Sequence, residues 1–237
     1  MTPIVISMSI FVLSFVLGYV WSYIIVYKNG FGNQKFDNRK ISISRFFMRT
    51  RYAIGNFILM SLVTCVSLAI IGDSFFSFKQ INLFMFFLCF FIILVVDDIW
   101  FYIIHRVMHD IPFLYKKIHI VHHKAIPPIP MDYLYAHPIE AMGASMGIVW
   151  GILVNILLFG NISIYVFTAY TIYRTLHEIA IHSGMEIVPE KWLGILGSSR
   201  HHYDHHKYLK GNYASGLVFL DKIFATKIQV KTEKQVG

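Results

Sequence analysis

Long apolar runs constrain this chain more than any other feature of it. The first covers residues 4–27, the second about 53–71, a third starts near Ile81, and the fourth covers about 141–181. A helix rises about 1.5 Å per residue, so about 20 apolar residues cross a hydrocarbon core about 30 Å thick. Each run therefore predicts at least one membrane-crossing helix. Composition agrees: 14% of residues are charged and 21 are phenylalanine, where soluble domains carry about 25% charge. A cleaved leader is disfavoured for the first run. The run is too long, no basic segment precedes it and no small-residue cleavage site follows.

The charges say how the runs are threaded. Net charge is +8 with histidines neutral. Nucleic acid is rejected as a partner, because the lysines and arginines lie between apolar runs, where positive-inside topology and anionic headgroups explain them. The connector 28–51 carries Lys28, Lys35, Arg39, Lys40, Arg45, Arg49 and Arg51 against one acid, Asp37. That excess places it in the cytoplasm. The weakly basic loop 72–79 then lies on the far side. The third run returns and carries Asp97, Asp98, His105, Arg106 and His109 in its last turns. The fourth run is too long for one crossing and is interrupted at Gly160-Asn161. It reads as a helical hairpin that enters and leaves on one side. All histidine-bearing segments then face the cytoplasm, and the tail 207–237, with Lys207, Lys210, Lys222, Lys227, Lys231 and Lys234, agrees. Cys65 and Cys89 both sit inside apolar runs, so neither a disulfide framework nor a thiolate metal site is expected.

The histidines, 12 in all, are the anomaly. His105 and His109 share a helical face at a spacing of four. His119, His122 and His123 form an H-x-x-H-H pattern, and His202, His205 and His206 form another. His177 and His182, at a looser spacing of five, need a bent helix end to meet. Imidazole suits iron, zinc, copper and nickel. A structural zinc site is complete with four ligands, so nine or ten histidines point to two metals. Asp98, Asp110, Asp132, Glu140, Glu178 and Asp204 are candidate acceptors for the free imidazole N–H groups. Asp97 and Asp98, costly in lipid, are expected to face the metal site. His137 reads as structural. A zinc transporter would place its ligands near the bilayer midplane. A di-haem cytochrome would pair histidines on facing helices. Clustering at helix ends and adjacent pairs such as His122-His123 fit neither. The expected fold is an all-α integral membrane protein of about four transmembrane helices or hairpin crossings. A cytosolic histidine-rich helical cap holds a di-metal centre, above an apolar bundle that serves as a lipid tunnel. Phe101, Tyr102, Trp150, Phe167 and Tyr170 are candidates to line it.

Three stretches resemble the fatty acid hydroxylase / sterol desaturase superfamily, over about residues 97–226. HRVMHDIPFLYKKIHIVHHK is similar to its first two histidine boxes, DYLYAHPIE to the segment after them, and IHSG with RHHYDHHKYLKGNYA and LDKIFAT to its third box and domain end. Within it, YAHP-x-E, HSG and HH-x-x-HH before GNYA are most similar to the C-4 methylsterol oxidase group. Met185 stands where tyrosine is expected, and Ala225 where glycine is common. The resemblance implies N-terminal transmembrane helices over 1–80, a catalytic domain over 81–228 and a polar tail over 229–237. It implies two iron ions, with zinc as an alternative occupant, and molecular oxygen. Electrons come from NAD(P)H through a reductase or cytochrome b5. It implies His105, His109, His119, His122, His123, His182, His202, His205 and His206 as ligands, with His177 as a tenth and His137 and His201 behind them. The implied activity is oxidation of a lipid C–H bond, on a sterol methyl group first and a fatty-acyl chain, ether lipid or desaturation second. The implied location is the endoplasmic reticulum membrane of a eukaryote or the inner membrane of a bacterium.

Overall fold

The computed structural model describes residues 2–28, 35–71 and 73–229. Part of the basic connector and the end of the tail, with Lys231 and Lys234, lie outside the described residues. In chain order the helices are α1 (Pro3–Tyr27), α2 (Ile43–Ile71), α3 (Leu83–Asp110), α4 (Pro112–Leu114), α5 (Ile120–His123), α6 (Pro138–Phe159), α7 (Ile164–Ile181), α8 (Glu190–Leu193), α9 (Ser199–Tyr208) and α10 (Phe219–Ile223). A π-helical turn, Tyr115–His119, leads into α5, and a 3-10 turn, Pro130–Leu134, precedes α6. Helices α1, α2, α3 and α6 are long and apolar enough to cross a membrane.

Local chemistry sets the boundaries. Thr2 caps α1 by accepting from Val5 N, and Asn82 caps α3 by accepting from Met85 N at 2.8 Å. The expected hairpin is present as α6 and α7. It breaks at Gly160, whose φ of 78° is a left-handed conformation that side chains resist. The two-residue strands β1 (Phe76–Ser77) and β2 (Ile162–Ser163) pair in parallel. They tie the α2–α3 loop to the α6–α7 turn, so both turns share the end of the bundle away from the histidines.

The bundle packs through small residues, as helices surrounded by lipid do. The buried face of α1 includes Ser7, Ser14, Gly18 and Ser22 with Ile25 at its end, while Val12, Leu13 and Val16 point outward. Ser22 Oγ donates to Gly18 O at 2.7 Å and accepts from Met131 N at 2.9 Å. On α6, Gly147 and Gly151 lie against α3, where an added Cβ would come within 2.9 Å of Asp97 Cα and Ile93 Cα.

One part of the connector reading is corrected. Helix α2 starts at Ile43, so Arg45, Arg49 and Arg51 are helical. Arg49 is 1% exposed and not a surface charge. Its guanidinium donates to Asp132 Oδ2 and Pro127 O, both at 2.9 Å, and to the carbonyls of Lys124 and Ile126. The fork geometry of arginine suits this cradle of oxygens. Arg49 thus anchors the loop after α5 and says nothing about membrane side.

Candidate metal centre

The last two turns of α3 carry His105 and His109. The π-helical turn and α5 carry His119, His122 and His123, His182 caps α7, and α9 carries His202, His205 and His206. These nine rings gather into two groups. One holds His105, His109, His119, His123 and His205, the other His122, His182, His202 and His206. Within each group the ligand nitrogens lie within 4.8 Å of one another. Each H-x-x-H-H pattern is divided. His119 and His123 go to the first group and His122 to the second, while His202 and His206 go to the second and His205 to the first. At about 100° per residue, positions i and i+4 nearly coincide and i+3 falls to one side. Each box therefore reaches both groups, and the boxes do so in opposite senses.

Four of the tautomers are set by backbone carbonyls. Nδ1 of His105 donates to Tyr213 O at 2.8 Å, of His122 to Tyr135 O at 3.1 Å, of His182 to Glu178 O at 2.8 Å and of His205 to Gly211 O at 2.7 Å. His119 Nδ1 lies 2.7 Å from Glu140 Oε1. A carbonyl only accepts, so the proton of each neutral ring sits on Nδ1 and Nε2 keeps its lone pair. The Nε2 atoms of His105 and His205 are buried without a partner. Those of His122 and His182 face each other at 3.5 Å with no proton to share. His119 and His123 Nε2 are 2.9 Å apart, and each is within 3.0 Å of His109 Nε2. Converging lone pairs repel, and a cation between them removes the repulsion, so the residues fit a metal ion in each group. Burial, then the neighbouring His182 ring, pushes His122 down to about 3. Burial and neighbouring imidazoles hold His119, His123, His202, His205 and His206 well below the ordinary histidine value. All are neutral, and so able to ligate, at physiological pH.

Several expectations are corrected. His177 joins neither group; its Nε2 bonds Ser215 O at 3.2 Å and its ring stacks on Tyr173. A spacing of five on one helix turns it away from His182. Asp97 and Asp98 do not touch the histidines. Asp97 Oδ2 accepts from Tyr170 OH and Arg174 Nε, and Asp98 Oδ1 accepts from Gly216 N. Among the candidate acceptors, Glu140 serves His119, and Glu178 serves His182 mainly through its carbonyl. Asp132 holds Arg49 and Asp110 pairs with Arg106. The sequence reading missed Asp221. It accepts from His201, Tyr213 N, Ala214 N and Thr226, fixing the loop whose Tyr213 carbonyl orients His105. His137, expected behind the ligands, instead caps α6, its Nδ1 accepting from Ile139 N. Ala225, in place of the common glycine, has φ 54°, which explains that preference.

Below the histidines lies a cavity of about 190 Å³ between α1, α2, α3, α6 and α7. Phe57, Phe101, Met108 and Ile148 line it, and His105, His122, His182 and His202 close its head. Of the aromatic residues expected there, Phe101 alone is present. Phe167 and Tyr170 belong to the core between the helices, Tyr102 packs on Tyr213, and Trp150 meets Trp100 edge to face.

Fold and site together define a helical protein with four membrane-span-capable helices and a candidate two-metal centre of histidines. The sequence model of the family described as fatty acid hydroxylase matches residues 90–226, more than half of the chain, and the chain belongs to that family. It is 36% identical over 137 residues to methylsterol monooxygenase 1 of Rattus norvegicus, covering 57% of this chain and 45% of that protein. The match to methylsterol monooxygenase 1 of Gallus gallus is 36% over 143 residues, or 60% and 46%. A very-long-chain aldehyde decarbonylase of Oryza sativa is 30% identical over 147 residues, or 60% and 53%. The chain spans about half the length of the curated relatives it matches. No solved structure matches.

Proposed function

We propose that the chain is a membrane-embedded non-haem di-iron monooxygenase that oxidises a C–H bond of a lipid with O2, a sterol methyl group being its leading substrate. The observation that carries this reading is the pair of converging Nε2 sets at the head of an apolar cavity. The nine grouped histidines are its ligands. Iron, when bound, supplies redox chemistry with dioxygen that no side chain offers. The chain supplies the rest. Carbonyls hold His105, His122, His182 and His205 in one tautomer, buried walls keep water out, and the cavity sets a lipid against the four-histidine group. A lipid gains about 0.8 kcal/mol per buried CH₂, so the substrate arrives from the bilayer. The similarity to methylsterol monooxygenases favours a sterol. Electrons come from NAD(P)H through a reductase or cytochrome b5, and the histidine cap faces the cytoplasm, on the endoplasmic reticulum or a bacterial inner membrane.

The test is metal analysis of the purified protein, then oxygen-dependent turnover on a panel of sterols, fatty acids and fatty aldehydes. Two irons per chain and an oxygenated sterol are expected. One tightly held zinc and no oxygen consumption on any lipid would sink the proposal.

A further inference from the structure

The segment after α7 leaves large apolar side chains uncovered outside the four spans. Trp192 is 73% exposed, Ile195 55%, Ile223 65% and Phe224 51%, with Leu196 exposed beside them. They belong to one surface. Ile195 O accepts from Val218 N at 2.9 Å and Leu196 bridges to Leu217, which sets the turn after α8 beside α10. Contacts to α3 fix the height of this surface along the bundle. Gly216 N donates to Asp98 Oδ1 at 3.0 Å, Gly197 N donates to Gly216 O at 2.8 Å, and Phe224 stacks on Tyr102 with ring centroids 5.2 Å apart. At about 1.5 Å per residue, Asp98 lies about 10 Å from His105 towards the bilayer. A hydrocarbon core about 30 Å thick that begins at Leu83, the start of α3, ends near Ile103. Asp98 and Tyr102 therefore lie inside its edge, and Ile99 and Ile103 on the same helix are exposed.

We infer that residues 192–196 and 223–224 form an interfacial anchor, which lies in the headgroup boundary on the histidine side and whose partner is the lipid bilayer. The height of the surface carries this reading, because a patch level with Tyr102 and Asp98 continues the exposed apolar band of α3 and meets acyl chains there. Its composition agrees. Tryptophan concentrates at the headgroup level of a membrane. Lys191 and Lys222 are exposed at its two sides, where long basic side chains reach anionic headgroups while their apolar neighbours sit lower. The four spans hold the bundle in the bilayer. The anchor holds the part of the cap from α8 to α10, which includes the loop whose Tyr213 carbonyl orients His105. It needs no metal and stands apart from the oxygenase reading.

The full chain is reconstituted in nanodiscs with Cys65 and Cys89 replaced by alanine, and a nitroxide is attached at Trp192→Cys, Ile223→Cys or Lys207→Cys. Collision with dissolved oxygen, which concentrates in lipid, is compared with collision with a water-soluble nickel chelate. Oxygen is expected to dominate at 192 and 223, and the chelate at 207, an exposed position on α9. The unlabelled protein gives a second measurement. Lipids brominated near the headgroup end of their acyl chains are expected to quench the part of the fluorescence that Trp192→Phe removes. Chelate-dominated collision at either 192 or 223, or Trp192 emission untouched by brominated lipid, overturns the proposal. So does shielding of either label from both colliders, the result expected if a second copy or another protein covers the surface.

Discussion

The two histidine groups differ in donors, exposure and support. The five-histidine group takes two rings from α3 and includes His109, its only half-buried member, and it shows the cavity only His105. The four-histidine group is wholly buried and shows the cavity His122, His182 and His202. Their supports are separate. The loop that orients His122 through Tyr135 O is pinned by Arg49 and Asp132. The loop that orients His105 through Tyr213 O is pinned by Asp221. The difference teaches a division: the group with fewer donors faces the cavity, and the group with more is set back from it.

Ligand deletion should separate the groups most. Altering residues behind metal ligands typically costs 10–100-fold, and removing a ligand should cost more. His122→Ala is expected to lower turnover more than about a hundredfold and to cut the metal content of its group. His205→Ala leaves four donors in its group and should cost less; equal losses in turnover and metal per chain would break the comparison. The supports come next. Arg49→Met strands the Asp132 carboxylate in the interior, an arrangement that costs about 3–5 kcal/mol. Thermal unfolding in detergent should show it, with metal lost first from the four-histidine group. Asp221→Ala should instead release metal from the five-histidine group, and loss from the wrong group in either variant would deny that the supports are separate. The smallest effects lie nearby. Ala225→Gly relieves a left-handed alanine and should stabilise by about 1 kcal/mol. Asp110→Asn breaks only an exposed pair with Arg106 and should change stability by less than about 0.5 kcal/mol, with metal content unmoved although His109 is adjacent.

The spans and the hairpin were legible because a lipid environment demands long apolar runs, and Gly160-Asn161 is a break that any reading finds. The histidines were legible because helical spacing puts several rings on one face. Their division into two groups was not, since it depends on how α5 and α9 face each other. Arg49 misled for the same reason. It sits among basic connector residues in the sequence, and only packing buries it against Asp132. The carbonyls of Tyr135, Gly211 and Tyr213 carry no side-chain signature at all, because every residue has one.

Local rules, acting within a few residues, therefore determined that this chain forms membrane-span helices and collects imidazoles at helix ends. Contacts between distant segments decided which imidazoles meet, which acid serves a histidine and which serves an arginine, and where the cavity opens beneath them. Hydropathy and helical spacing are properties of neighbours along the chain, whereas a shared lone-pair site is a property of neighbours in space.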